Sequence, residues 1–187
     1  MIFASNNQGK LKNIRDIFYE YDIKSLKEAN IFVEVEEDQD SFYGNALKKA
    51  TEIYKLTKEP VIADDSGICI RALNGEPGVK TARFLGKNTT PRQRNQEILN
   101  RLKDIQDRYV EFICNLVYYD GKNILVGEGI LKGNISKEFR GENGFGFDEI
   151  FELPNGKTLA ELTDEEKNSC SARYLASLDL KKKLAAL

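Results

Sequence analysis

The sequence predicts an α/β protein built on a mixed β-sheet flanked by helices, and three observations carry that prediction. Apolar runs alternate with helical periodicity through the N-terminal half. Tyr109–Tyr119 is a long run rich in β-branched and aromatic residues. Asp120-Gly121 follows it as a hairpin turn signal, and Lys122–Leu131 reads as the returning strand. A long hairpin inside an alternating pattern favours a mixed sheet over a purely parallel one. A doubly wound fold is the competing topology.

The elements follow in order. Met1–Ser5 reads as a short strand that ends in Asn6-Asn7-Gln8-Gly9-Lys10, and helical spacing then starts at Leu11, Ile14, Ile17 and Phe18. Ile31–Val35 reads as a second strand, leading into the acidic stretch Glu34–Asp40. Asp40 or Ser41 caps the next helix, whose apolar stripe is Phe42, Ala46, Ala50, Ile53 and Leu56. Pro60–Asp64 and Ile68–Leu73 read as two strands around Asp64-Asp65-Ser66-Gly67. Thr90-Pro91 starts a helix continued by Ile98, Leu102 and Ile105. Gly141–Gly146 is a glycine-rich loop before a strand at Glu149–Leu153. Thr163 and Glu166 form a capping box, and one helix runs from there to the C-terminus with Leu175, Leu178 and Leu184 inward. With 187 residues and no linker or repeat, residues 1–187 read as one domain.

Composition removes much chemistry. The chain has no histidine, so no Ser-His-Asp or Cys-His relay and no histidine-ligated zinc is available. Catalysis must rest on carboxylates, lysine, arginine, hydroxyls or the cysteines Cys69, Cys114 and Cys170. These are odd in number and widely spaced, so they read as reduced, mostly buried thiols of a cytoplasmic protein. A net charge of −2 argues against a nucleic-acid polymer as partner. A small anion needs only a local positive cluster. No apolar run reaches the ~18 residues of a membrane span, and no signal peptide is expected.

Several segments could carry chemistry. Ser5, Asn6, Asn7, Gln8, Gly9 and Lys10 form a strand–loop–helix turn whose N–H groups suit a phosphate, with the charge of Lys10 beside them; an ordinary capped helix start reads the same way. Glu36-Glu37-Asp38-Gln39-Asp40 is either a solvated acidic loop or a source of hard-cation ligands. Lys49 lies two turns past its helix cap and could aim at that end of the sheet. Asp64-Asp65 sets two carboxylates side by side, and on a strand these point to opposite faces; the alternative is a plain Asx turn. Ser66 could donate to a phosphate oxygen. Gly144-Phe145-Gly146-Phe147-Asp148 combines loop glycines with rings that could lie under a planar base or pack in the core.

In this order the segments resemble the inosine triphosphate pyrophosphatase family, which hydrolyses altered purine nucleoside triphosphates. The matching stretches are Ala4–Lys10, Glu36-Glu37 with Ser41-Phe42, Asn45–Ala50, Ala63–Gly67, Leu73–Phe84, Gly144–Phe151 and Lys167–Ala176. The resemblance implies an elongated, two-lobed fold with a substrate cleft between the lobes, and a cytoplasmic homodimer. It implies Mg²⁺, with Mn²⁺ as substitute, and cleavage of ITP, dITP and XTP to the monophosphate and pyrophosphate. By position, it gives Ser5–Lys10 to the triphosphate, Glu37 and Asp65 to the metal, and Asp65 to proton acceptance with Asp64 in support. Lys49 would neutralise phosphate charge, and Ser66 would touch phosphate or ribose. Phe145, Gly146, Phe147, Asp148, Lys167, Ala172 and Arg173 would line the base pocket. The alternatives are a pyrophosphatase of the dTTP/UTP type and a non-catalytic nucleotide-binding module.

The chain departs from the family pattern at three positions. Ala172 stands where the family has histidine, Phe147 where it has tyrosine, and Gly44 where an acid is common. A hydrogen-bonding group lost from a polar recognition site costs discrimination. The expected outcome is a broader base preference, checked by comparing turnover of ITP, XTP, GTP and ATP. A sharp preference for ITP and XTP over GTP overturns it, and Ala172→His is expected to tighten selectivity more than it changes pyrophosphate release.

Overall fold

The structure is a computed structural model that describes residues 1–86 and 88–187. Its strands are β1 (Ile2–Phe3), β2 (Lys24–Ser25), β3 (Val61–Ile70), β4 (Tyr109–Tyr119), β5 (Ile124–Ile135) and β6 (Phe151–Glu152). Its helices are α1 (Gln8–Ile17), α2 (Phe42–Thr57), α3 (Pro91–Arg101), α4 (Asp164–Cys170) and α5 (Ala172–Leu184). The strands form one sheet in the order β2-β1-β3-β4-β5-β6. β1 runs parallel to both β2 and β3, whereas β5 and β6 are antiparallel, so the sheet is mixed as expected. Among the described residues no helix is long and apolar enough to cross a membrane.

Helix starts follow the capping residues. Asn7 Oδ1 accepts the Lys10 N–H at 3.0 Å, and Ser41, not Asp40, caps α2 by accepting the Gly44 N–H at 2.9 Å. Thr90 and Thr163 each form a full capping box.

Contacts divide the chain into two compact units. The first comprises Met1–Ser66, Cys114–Gly129 and Ala172–Leu187; the second comprises Gly67–Ile113 and Ile130–Ser171. The core of the first gathers Ile2, Ala46, Ala50, Ile53, Val61, Ala63 and Val117. The core of the second gathers Ile68, Ile70, Ile98, Leu102, Val110, Ile135, Ile150 and Phe151.

Several expectations are corrected. Ile31–Val35 is irregular, and the second strand is the short Lys24–Ser25. The two strands expected around Asp64–Gly67 are one continuous strand, β3, and Arg71–Leu73 is a 3₁₀ turn. Leu56 is exposed at the end of its stripe. α3 stops at Arg101, and the strand near Glu149 shrinks to Phe151–Glu152. All three cysteines are free, but only Cys114 is buried.

The C-terminal helix is broken at Ser171, whose backbone is extended. Beyond the break, α5 is seated on β5. Gly127 and Gly129 share one face of that strand. A Cβ on Gly127 would lie 2.2 Å from the Ala176 carbonyl oxygen, and one on Gly129 would lie 1.9 Å from that of Ala172. The α5 backbone therefore rests directly on the strand, and it buries Ala176 and Leu180, leaving Leu175 exposed. Gly129→Ala is expected to lower unfolding free energy by about 1–3 kcal/mol, because backbone must move to admit the methyl; urea denaturation measures it.

Candidate active site

The candidate site of the first unit is built on β3. Its pleat turns Asp64 and Asp65 to opposite faces, and each meets different partners. Asp64, 1 % exposed, accepts from Lys10 Nζ at 2.9 Å and from Arg173 Nε at 3.1 Å. Arg173 Nη2 lies 3.1 Å from the same oxygen. Burial alone would raise this carboxyl's pKa, but Lys10, Arg173 and Lys49 outweigh it and hold it well below the usual range. Removing one partner from such a buried set costs about 3–5 kcal/mol.

Among the described residues, the hydrogen-bond partners of Asp65 include no cation. Its Oδ2 accepts from Asn45 Nδ2 at 2.9 Å, and its Oδ1 accepts from its neighbour's N–H, that of Ser66, at 3.0 Å. Burial dominates, opposed by the Asn45 bond and Lys49 and reinforced by the charge of Glu37, and it pushes the pKa up to about 6. Lys49 Nζ is held by Glu37 Oε1 at 2.6 Å. Burial would lower the lysine's pKa, yet Asp64, Glu37 and Asp65 together raise it, so it stays charged. On the neighbouring strand, burial and then the charge of Asp64 push the Cys114 thiol up to about 12, so that thiol is neutral and inert.

The Ser5–Lys10 turn is assembled as expected. Ser5 Oγ accepts the Asn7 N–H at 3.1 Å, Asn6 Oδ1 accepts the Lys27 N–H at 2.8 Å, and Gln8 Nε2 donates to the Asn6 carbonyl at 3.3 Å. Gly9 lies in the first turn of α1, where a Cβ would come within 3.4 Å of Asn7 Oδ1. At Gly44, a Cβ would press on the Gln39 Cβ at 2.9 Å, so the glycine lets Gln39 close over the start of α2. Gln39 then donates its N–H to Asn45 Oδ1 at 2.9 Å.

The structure thus brings Lys10, Glu37, Lys49, Asp64, Asp65, Ser66 and Arg173 together in the first unit. Arg173, expected with the base pocket, has Asp64 as its observed partner. Ala172 is buried at the start of α5, so an imidazole there would have to displace packing. For that reason the base panel is best run on the unaltered chain. In the second unit, Phe145, Gly146, Phe147 and Asp148 belong to one loop, to which Lys167 of α4 is tied. Asp148 Oδ2 takes Lys167 Nζ at 3.0 Å and the Phe145 N–H at 3.1 Å. Phe147 packs against the core, while Phe145 is 72 % exposed.

Sequence reasoning gave no role to Asn45, which is wholly buried and bridges Gln39 to Asp65. Its signal was available: a primary amide adjoining the apolar stripe of Phe42, Ala46 and Ala50 needs buried partners.

A carboxylate that burial drives towards its protonated form, beside one that cations hold ionised, with lysines at a strand–loop–helix turn, is an arrangement able to exchange a proton beside an anionic ligand. The comparisons agree with that reading. The Ham1 family model matches residues 1–183, and the chain belongs to the Ham1 family. The chain is 40 % identical to the dITP/XTP pyrophosphatase of Clostridium tetani, covering 98 % of this chain and 95 % of that protein. The Ham1 protein of Staphylococcus aureus superposes with a TM-score of 0.93 at 37 % identity, over 99 % of this chain and 97 % of that one. A HAM1 protein from Coxiella burnetii gives 0.93 at 36 %, over 100 % and 98 %.

Asp65 makes a stability prediction for the metal-free protein. Its folded pKa, about 6, exceeds its ordinary 3.8, so the folded state holds the proton more tightly. Its contribution to stability therefore declines as pH rises from about 4 to about 6 and is flat above that. Asp64 acts in a separate window: its lowered pKa stabilises above the ordinary value and is lost only at lower pH. Urea unfolding at pH 4.5 and pH 7 is expected to show the decline as a difference between the native chain and Asp65→Asn. Parallel pH profiles for the two chains would remove it.

Proposed function

We propose that this chain hydrolyses the α–β phosphoanhydride of altered purine nucleoside triphosphates such as dITP, ITP and XTP, releasing the nucleoside monophosphate and pyrophosphate. Membership of the Ham1 family and its likeness to proteins named dITP/XTP pyrophosphatase support the substrate class. The observation that carries the chemistry is the divergence of Asp64 and Asp65, adjacent in sequence but turned to different partners: Lys10 and Arg173 for the first, Asn45 and the Ser66 N–H for the second.

In this reading Asp64 remains an anion throughout and aims Lys10 and Arg173. Asp65 takes the proton from the attacking water. The water oxygen bonds to the α-phosphorus, the bond to the bridging oxygen breaks, and pyrophosphate leaves with that electron pair. Lys10 and Lys49 meet the phosphate charge, the Ser5–Lys10 turn holds the chain of phosphates, and Ser66 touches phosphate or ribose. Positioning and electrostatic stabilisation supply most of the rate in such transfers.

Glu37 and Asp65 fit Mg²⁺, or Mn²⁺ in its place. They offer hard oxygens, and their mutual repulsion is among the causes that raise the Asp65 pKa. Mg²⁺ needs only one or two protein carboxylates when substrate phosphates complete its shell. When bound, it supplies positive charge to the phosphates. In the second unit, Phe145, Gly146, Phe147, Asp148 and Lys167 recognise the base. The enzyme works as a cytoplasmic homodimer, and light scattering on the purified protein checks the assembly.

The test is pyrophosphate release from dITP and XTP with Mg²⁺. Asp65→Asn is expected to lower kcat by about 10²–10⁴-fold, the scale of a lost general base, with KM little changed. A native chain that releases no pyrophosphate overturns the reading, and an Asp65→Asn chain at full rate removes Asp65 from proton transfer.

A further inference from the structure

In the second unit, the segment Gly144–Asp148 sets an exposed ring on a fixed backbone. Phe145 is 72 % exposed, with Lys167 Nζ 5.7 Å from its ring centroid. On one side Asp148 fixes the Phe145 N–H, and its own carbonyl accepts the Ala160 N–H at 3.0 Å. The Asn143 N–H donates to the Ala160 carbonyl at 3.0 Å, and the Asn143 side chain donates to the Leu162 carbonyl at 3.2 Å. Gly144, with φ at +109°, passes so close to Asp148 that a Cβ there would lie 2.2 Å from Oδ2. Those bonds all hold the segment from the Asp148 and Ala160 side.

From α3, Asn95 holds the segment as well. Asn95 Nδ2 donates to the Gly146 carbonyl at 2.8 Å. Asn95 is 0 % exposed, next to the core residues Ile98 and Leu99, and its Oδ1 has no partner among the described residues. A buried amide oxygen without a partner is costly. As a packing residue, then, Asn95 is inferior to an apolar side chain of the same size. What an apolar residue could not supply is the bond to Gly146, whose φ of +65° places it in the left-handed turn that follows Phe145.

We infer that Asn95 is a positioning residue for base recognition: by fixing Gly146 it holds the ring of Phe145 ready as a stacking platform for the purine. The inference rests on the functional reading above and deepens it. A ring already ordered spares the complex the cost of ordering it on binding. Freed from Asn95, the ring keeps its chemistry and loses its fixed presentation. The loss is confined to substrates that carry a base.

The experiment uses the full chain and two variants, Asn95→Ala and Asn95→Leu. The leucine variant refills the space with apolar atoms and guards against a folding defect. For both, KM for dITP and XTP is expected to rise about tenfold with kcat within a factor of about two, as for lost uniform binding. The inhibition constant of inorganic triphosphate, a base-free competitor, is expected to stay at its native value. If KM for dITP and the triphosphate constant rise together, or if neither moves, Asn95 serves only the core and the inference is overturned. A native chain without pyrophosphatase activity is a different result: it overturns the functional reading, and the inference falls with it.

Discussion

The site of the first unit depends on a carboxylate that is buried and nevertheless charged. Asp64 lies in the interior of the sheet, where an isolated anion would take up a proton. Lys10 from the start of α1 and Arg173 from the start of α5 prevent it, each at about 3 Å. The ion cluster joins three elements that are far apart in sequence, and it fixes the entry of α1, which is also the strand–loop–helix turn. That turn is set both by its own cap, Asn7, and by Lys10 reaching down to Asp64. The glycines at 127 and 129 complete the arrangement, since they let α5 lie close enough for Arg173 to reach the strand.

A chain without histidine has to make its base near neutrality from another group. Burial is the available means. Asp65 is buried like Asp64 but contacts an amide and a backbone N–H instead of cations, so desolvation is only partly offset and its proton affinity rises. Lys49 is near enough to limit that rise, and Glu37 opposes it. The formal charges of Glu37, Asp64 and Asp65 balance those of Lys10, Lys49 and Arg173 when Asp65 is ionised. Protonation of Asp65 leaves the cluster positive. The field that a phosphate chain would meet is thus linked to the state of the same carboxyl that is proposed to receive the proton.

Much of this could be read in the residues. The mixed sheet followed from the alternation and from the hairpin at Asp120-Gly121, because turn chemistry there is local. The caps at Thr90 and Thr163 were legible for the same reason, and that of α2 was narrowed to Asp40 or Ser41. The misses have non-local causes. Ile31–Val35 has the composition of a strand, but β1 pairs instead with Lys24–Ser25. The seating of α5 on β5 is non-local as well, although glycines at alternate positions of a strand pattern foreshadow it. Asn45 and Asn95 look like ordinary polar helix residues until burial shows that each spends its amide on the backbone or side chain of a functional segment.

The most consequential miss is also the most instructive. Asp64-Asp65-Ser66-Gly67 has the composition of a turn, and in a turn both carboxyls would face water and titrate alike. As the middle of a continuous strand, the same tetrad alternates by pleat, and one peptide unit separates a carboxylate clamped by two cations from one that holds its proton to about pH 6. Flanking apolar residues decide between these outcomes: Val61, Ile62 and Ala63 before the pair and Ile68 and Ile70 after it are all buried, so the strand cannot turn without exposing one side or the other. The divergence of the two carboxyls is therefore a consequence of the hydrophobic core around them.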